Sequence, residues 1–93
     1  MNRKKLLKTI VADLKKQGAK KITLFGSYSR GEENKGSDVD IIVEFFKPKS
    51  LLKFVEIEQE LSEKTGKKID LLTENSISPY LIDRIRKERV ELY

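Results

Sequence analysis

Asp38 and Asp40 stand two residues apart, directly ahead of the apolar run Ile41-Ile42-Val43. That run reads as a strand, and side chains two apart on a strand project from one face. Both carboxylates therefore point the same way, with Val39 turned opposite. Two anions held so close repel each other unless a cation joins them. The chain contains no His and no Cys, which argues against a zinc, iron–sulfur or copper site. Mg²⁺ suits the pair better, because it takes oxygen ligands and binds through one or two carboxylates together with substrate phosphates. An Asp-x-Asp pair on its own reads more readily as two solvated aspartates at a strand entry, since such pairs are common in turns.

Three further features bear on that choice. Gly26-Ser27 follows the apolar segment 22–25, with ten residues between Ser27 and Asp38. Glycine lets backbone come close to a ligand. Ser27 can open a helix whose first N–H groups attract an anion. A phosphate there and a metal on the facing strand describe a nucleoside triphosphate lying between them. Taken alone, Gly-Ser is also an ordinary strand-to-helix turn. Asp70 is an isolated charge in Ile69-Asp70-Leu71-Leu72. A buried carboxylate without a partner is costly. Asp70 is therefore an edge-strand acid in water, the partner of a lysine, or a third ligand of the same site. Arg30 lies one helical turn beyond Ser27. It can reach phosphate or form an ion pair with Glu32, Glu33 or an acid elsewhere.

These residues need elements to carry them. Leu6, Leu7, Ile10, Val11 and Leu14 recur at helical spacing with lysines opposite, which predicts a helix over 3–17 stopped by Gly18. Strands are expected over 22–25, 38–46 and 68–72. The continuous apolar middle of the second implies burial on both faces. A short helix over 28–33 and a turn at Asn34-Lys35-Gly36 link the first two strands. Lys47-Pro48-Lys49 breaks the second strand, and Ser50 caps a helix to about Lys64 that Thr65-Gly66 ends. Its stripe is read as Leu51, Phe54, Val55, Glu58 and Leu61. Ser78-Pro79 opens a last helix with Leu81, Ile82 and Ile85 on its apolar face, and residues 90–93 add a short strand. Alternating strands and helices argue for an α/β (α+β) fold, a small mixed sheet with helices packed on it.

At 93 residues, 1–93 is expected to be one domain with a small core, which leaves homo- or hetero-oligomerisation open. No stretch approaches a membrane span, and the basic start lacks the apolar run of a signal peptide. The absence of cysteine fits a cytoplasmic protein. The 20 Lys+Arg against 15 Asp+Glu are spread along the chain, which reads as a solvated charged surface more than as a nucleic-acid patch. The Lys/Glu/Ile-rich composition resembles that of thermophile proteins.

Gly26-Ser27-Tyr28-Ser29-Arg30-Gly31 followed by Ser37-Asp38-Val39-Asp40-Ile41 resembles the signature of the nucleotidyltransferase superfamily that includes DNA polymerase β. The local pattern is similar to the minimal nucleotidyltransferases, the MNT proteins, which are encoded beside a HEPN-domain partner. With Asp70 as the third acid, the resemblance covers almost the whole chain. It implies a polymerase β-type core with Asp38, Asp40 and Asp70 on adjacent strands as catalytic and metal residues. Two Mg²⁺ ions would be cofactors and ATP a substrate, with Gly26, Ser27 and Arg30 as nucleotide-binding residues. It further implies an antitoxin that transfers AMP to a tyrosine of a HEPN ribonuclease toxin. The same resemblance leaves open an antitoxin that neutralises by binding alone, and a transferase for a small-molecule or nucleic-acid acceptor.

Overall fold

A computed structural model describes residues 2–31, 36 and 38–93. The helix ends of Glu32 and Glu33, the Asn34-Lys35 part of the expected turn, and Ser37 lie outside the described residues. The chain runs α1 (Arg3–Lys16), β1 (Ala19–Phe25), α2 (Ser27–Arg30), β2 (Val39–Phe45), α3 (Leu51–Thr65), β3 (Ile69–Leu72), a 3-10 turn (Glu74–Ser76), α4 (Pro79–Glu88) and β4 (Val90–Glu91). The strands form one sheet in the order β3-β2-β1-β4. β1 is antiparallel to both β2 and β4, and β2 is parallel to β3 with α3 as the crossover. The sheet is mixed, as the sequence implies. Among the described residues no helix is long and apolar enough to cross a membrane.

Side-chain alternation gives the sheet two different faces. One carries Ile22, Leu24, Val39, Ile41, Val43, Ile69 and Leu71, all buried against Leu6, Ile10 and Leu14 of α1 and Ile57 and Leu61 of α3. The other carries Thr23, Phe25, Asp40, Ile42 and Asp70. Ile42 is also buried, so the middle of β2 is covered on both sides. Ile77, Ile82 and Ile85 line a small cavity with Thr23 and Ile42, which places the inner side of α4 over this second face.

Two apolar stripes differ from expectation. On α3 the buried residues are Ile57, Leu61 and Thr65, whereas Leu51 is 80% exposed and Val55 38%. The sheet takes the face centred on Ile57, leaving the first turn of α3 beyond its edge. On α4 no residue is fully buried, and Leu81 lies on the open side. Glu58 belongs to the inner face of α3 for a polar reason. Leu71 N–H donates to Glu58 Oε2 at 2.8 Å, and Ile69 N–H to Ser62 Oγ at 3.0 Å. These bonds satisfy two N–H groups of edge strand β3 that would otherwise invite another strand, and they fix the backbone on both sides of Asp70.

The start of α3 is set by Ser50, whose Oγ accepts from Lys53 N–H at 3.1 Å. Ser50→Ala should cost about 1 kcal/mol of stability. Urea unfolding that shows no loss would remove the cap from the account of α3.

Candidate functional site

The site begins with strand register. Phe25 of β1 stands opposite Asp40 of β2, and Asp40 stands opposite Asp70 of β3. Cross-strand partners share a face, so Asp40 and Asp70 meet side by side. Their carboxyls are close enough to hydrogen-bond. Gly26, one residue past Phe25, is brought against Asp40 as well. Its backbone lies at φ +75°, ψ −155°, and a Cβ there would run into the Asp40 carboxylate. Only glycine permits both the dihedral and the approach.

Beyond Gly26 the chain turns at once into the single-turn α2. Ser29 Oγ donates to Gly26 C=O at 2.7 Å, and the Ser29 and Arg30 N–H groups return to the same carbonyl at 3.1 and 3.3 Å. Gly26 is therefore the N-terminal cap and Ser27 the first helical residue. The first N–H groups of a helix have no intrahelical partner, and Ser27 directly follows Gly26, which lies against Asp40. Tyr28 is buried and anchors the turn in the core.

Asp38 behaves differently from its neighbour. It precedes β2, its side chain is 43% exposed, and its Oδ2 lies 3.9 Å from Lys68 Nζ. The three acids do not close around one point: among the described residues no group of three or more acidic side chains is drawn together tightly enough to hold an ion. Asp38 still acts on Asp40 through its charge. Arg30 Nη1 lies 2.9 Å from Glu88 Oε2 of α4, while its charge also reaches Asp40. The ion pair with a distant acid is therefore present, and it brings Glu88 into the neighbourhood of the site. Glu88 and Lys68 had no signature in the sequence, since each matters only through a partner on another element.

The carboxyl of Asp40 is pushed up from 3.8 to about 6. Burial is the main cause. The charges of Asp70 and Asp38 and the hydrogen bond with Asp70 add to it, and Arg30 opposes it. Two carboxyls in contact hold together only with a proton or a cation between them. An all-oxygen donor set of this kind fits Mg²⁺. The sign of the pH dependence follows. The folded chain binds the Asp40 proton more tightly than the unfolded chain, so this contribution to stability is complete below about pH 3.8 and is lost as pH rises through about 6. With solvent screening at a partly exposed carboxyl, the loss is on the order of 1 kcal/mol. Thermal melts in chelator between pH 4 and pH 7 should show it in the wild type and not in Asp40→Asn. Equal pH dependence in both would place the perturbed group elsewhere.

The family model for the nucleotidyltransferase domain matches residues 4–92. The chain belongs to this nucleotidyltransferase family. It is a minimal nucleotidyltransferase. It is 47% identical over 92 residues to a protein of Methanocaldococcus jannaschii named "Putative protein adenylyltransferase", covering 99% of each chain. It is 41% identical over 73 residues to the protein adenylyltransferase MntA of Thermococcus cleftensis, covering 78% of this chain and 74% of that one. The fold is similar to a crystal structure of a toxin–antitoxin with AMP-PNP, at a TM-score of 0.82 and 27% identity, covering 94% of this chain and 72% of that one.

Proposed function

We propose that this nucleotidyltransferase transfers AMP from ATP to a tyrosine hydroxyl of a HEPN ribonuclease and thereby acts as its antitoxin. The observation that carries the reading is the contact of Asp40 with Asp70 across adjacent strands, with the Gly26 backbone packed against Asp40. The relatives named protein adenylyltransferase and the similar toxin–antitoxin structure support the substrate class and the biological role. The similarity to MNT proteins, which are paired with HEPN proteins, supports the partner.

Asp38, Asp40 and Asp70 would hold two Mg²⁺ ions. Held there, the ions would supply a lowered pKa for the attacking hydroxyl and positive charge beside the attacking and leaving oxygens. The protein's own share is placement. The Ser27 and Tyr28 N–H groups and the Ser27 hydroxyl bind the β- and γ-phosphates, and Arg30 contributes positive charge on the same side. Asp70, fixed by the α3 side chains, accepts the proton of the incoming hydroxyl. The hydroxyl oxygen bonds to the α-phosphorus, the bond to the β-phosphate oxygen breaks, and pyrophosphate leaves. The chain is further read as a single cytoplasmic domain.

Incubation with ATP, Mg²⁺ and a HEPN-domain protein from the same genome should add AMP to that protein, seen by intact mass and mapped to tyrosine. An unmodified partner under conditions where the two proteins bind would rule out transfer and leave neutralisation by binding. Ser27→Ala should weaken ATP affinity roughly threefold to tenfold through loss of one hydrogen bond to a charged oxygen. Unchanged ATP affinity by calorimetry would count against Ser27 as a phosphate ligand.

A further inference from the structure

Glu88 is an acid that the proposed reaction does not use and that the fold nevertheless brings to the site. It lies in the last turn of α4, and the chain is fixed on both sides of it. Ahead of it, Ile82 and Ile85 lie over Thr23 and Ile42 of the sheet. Behind it, Arg89 N–H donates to Ile85 C=O at 2.8 Å, and Val90 pairs with Leu24 in the antiparallel β4–β1 ladder. That register carries Glu88 toward the turn at Gly26, two residues past Leu24. Arg30 Nη1 donates to Glu88 Oε2 at 2.9 Å, with the two side chains 34% and 26% exposed. A pair this close and this far buried is screened less than one in open water. Arg84 Nε, one turn earlier on α4, lies 3.6 Å from the other carboxylate oxygen, Oε1. The Glu88 carboxylate is thus held between two guanidinium groups.

We infer that Glu88 is a positioning residue. It holds the Arg30 guanidinium beside the Asp40–Asp70 pair and off it, so that the carboxylates stay available to a cation and the arginine to a nucleotide phosphate. This role rests on the proposed reading of these residues as the cation and phosphate groups of the transferase. The reason is competition. The charge of Arg30 already reaches Asp40. An arginine next to two carboxyls in contact is itself a cation that can join them, through parallel N–H···O bonds. So placed, it would stand where the proposed Mg²⁺ ions stand, and its charge would be spent before a phosphate arrived. Glu88 offers the guanidinium a carboxylate on another element instead. A guanidinium is planar and carries its donors in a rigid fork, so one fixed carboxylate on Nη1 also sets where its other donors point. In this way α4 serves the site through one side chain of its last turn, although none of its residues is fully buried.

Cation binding is read with Mn²⁺ alone, from the EPR signal of the free ion, and ATP binding by calorimetry; neither needs an acceptor. Glu88→Gln keeps the shape and removes the charge that holds Arg30. It should weaken Mn²⁺ binding about threefold to fivefold, the size of an ion-pair coupling at a partly exposed site. In the Arg30→Gln background the same change should alter Mn²⁺ affinity by less than about twofold, because there is no guanidinium to release. An equal loss in both backgrounds would overturn the proposal, by making Glu88 a charge that acts on the cation directly. Mn²⁺ affinity of Glu88→Gln within about twofold of wild type, beside a lowered melting temperature, would also overturn it, by reducing the pair to a fastening of α4. Should Glu88→Gln fail to fold, Glu88→Asp keeps the charge and draws it back by one methylene. It should give a smaller loss of the same kind, and a loss that persists beside Arg30→Gln would overturn the proposal. Arg30→Gln by itself should lower ATP affinity; an unchanged value would remove Arg30 from phosphate binding and Glu88 from its role. A wild-type chain that binds no Mn²⁺, with or without ATP, would refute the cation site and with it the need for Glu88. The expected coupling in a chain that modifies no partner protein would uphold Glu88 and refute the transfer reaction.

Discussion

Asp40→Asn should lower nucleotide transfer by about a thousandfold or more while the protein folds as well as before. The two halves of this expectation have one cause. Asp40 lies between Asp70 on β3 and the charge of Asp38, beside the Gly26 backbone; burial first, and then these charges, raise its carboxyl to about 6. A cation-binding reaction uses that concentration of negative charge; the folded chain without a cation only bears its cost. The amide keeps the shape and can still hydrogen-bond with Asp70, but it carries no charge for the cation to join. The melting temperature at neutral pH should therefore hold or rise slightly. The measurement is initial-rate transfer from ATP alongside a thermal melt in chelator. A variant that transfers at near wild-type rate would remove Asp40 from the reaction, and one that unfolds would make its role structural.

Gly26→Ala is the second large effect, and it should damage stability and activity together. At φ +75° and ψ −155° an alanine is already strained, at a cost of about 1–3 kcal/mol. Its Cβ would also meet the Asp40 carboxylate, so either the turn into α2 or the start of β2 must shift. A total near 3 kcal/mol is expected, a large fraction of what a domain of this size has to spare. Any folded fraction should transfer poorly, because the displaced groups are the ones that hold phosphate and metal. Gly31→Ala is the control. Its φ is +70°, but nothing lies within 4 Å of an added Cβ, so only the cost of the left-handed backbone applies, about 1–2 kcal/mol. Equal losses at the two positions, by urea unfolding, would show that backbone strain alone matters at Gly26 and that the contact with Asp40 does not.

The elements were legible because their signals are local. Leu6, Ile10 and Leu14 lie on one side of a helix by spacing alone, and all three are buried. Ser50 and Ser78 cap the helices they were read to cap, and Gly66 takes the left-handed position after α3. The stripes on α3 and α4 were read less well. Leu51 and Leu81 are apolar and correctly spaced, yet periodicity says only that a side chain lies on a stripe. It does not say how far the sheet extends beneath that stripe. Ile57 was passed over for the same reason, since neighbouring stripes on one helix are told apart only by what packs on them.

Of the candidate site, the residue types were legible in the sequence, and the resemblance implied Asp38, Asp40 and Asp70 on adjacent strands; that Asp40 is the one opposite Asp70 is a matter of register. Asp38 did not follow. Two residues of separation place it on the right face, but it falls outside the strand and leans toward Lys68. Arg30 was open between phosphate and an acid, and the acid it meets is Glu88, 58 residues away. The sequence by itself determined the chemistry available: carboxylates without histidine or cysteine, and a glycine where a chain must turn sharply. Only the tertiary structure decided which carboxylates touch, that Glu58 and Ser62 hold the edge of β3, and that α4 covers Ile42 on the second sheet face. Those outcomes depend on register and on helix placement across the sheet, and such long-range choices leave no periodic mark in the chain that makes them.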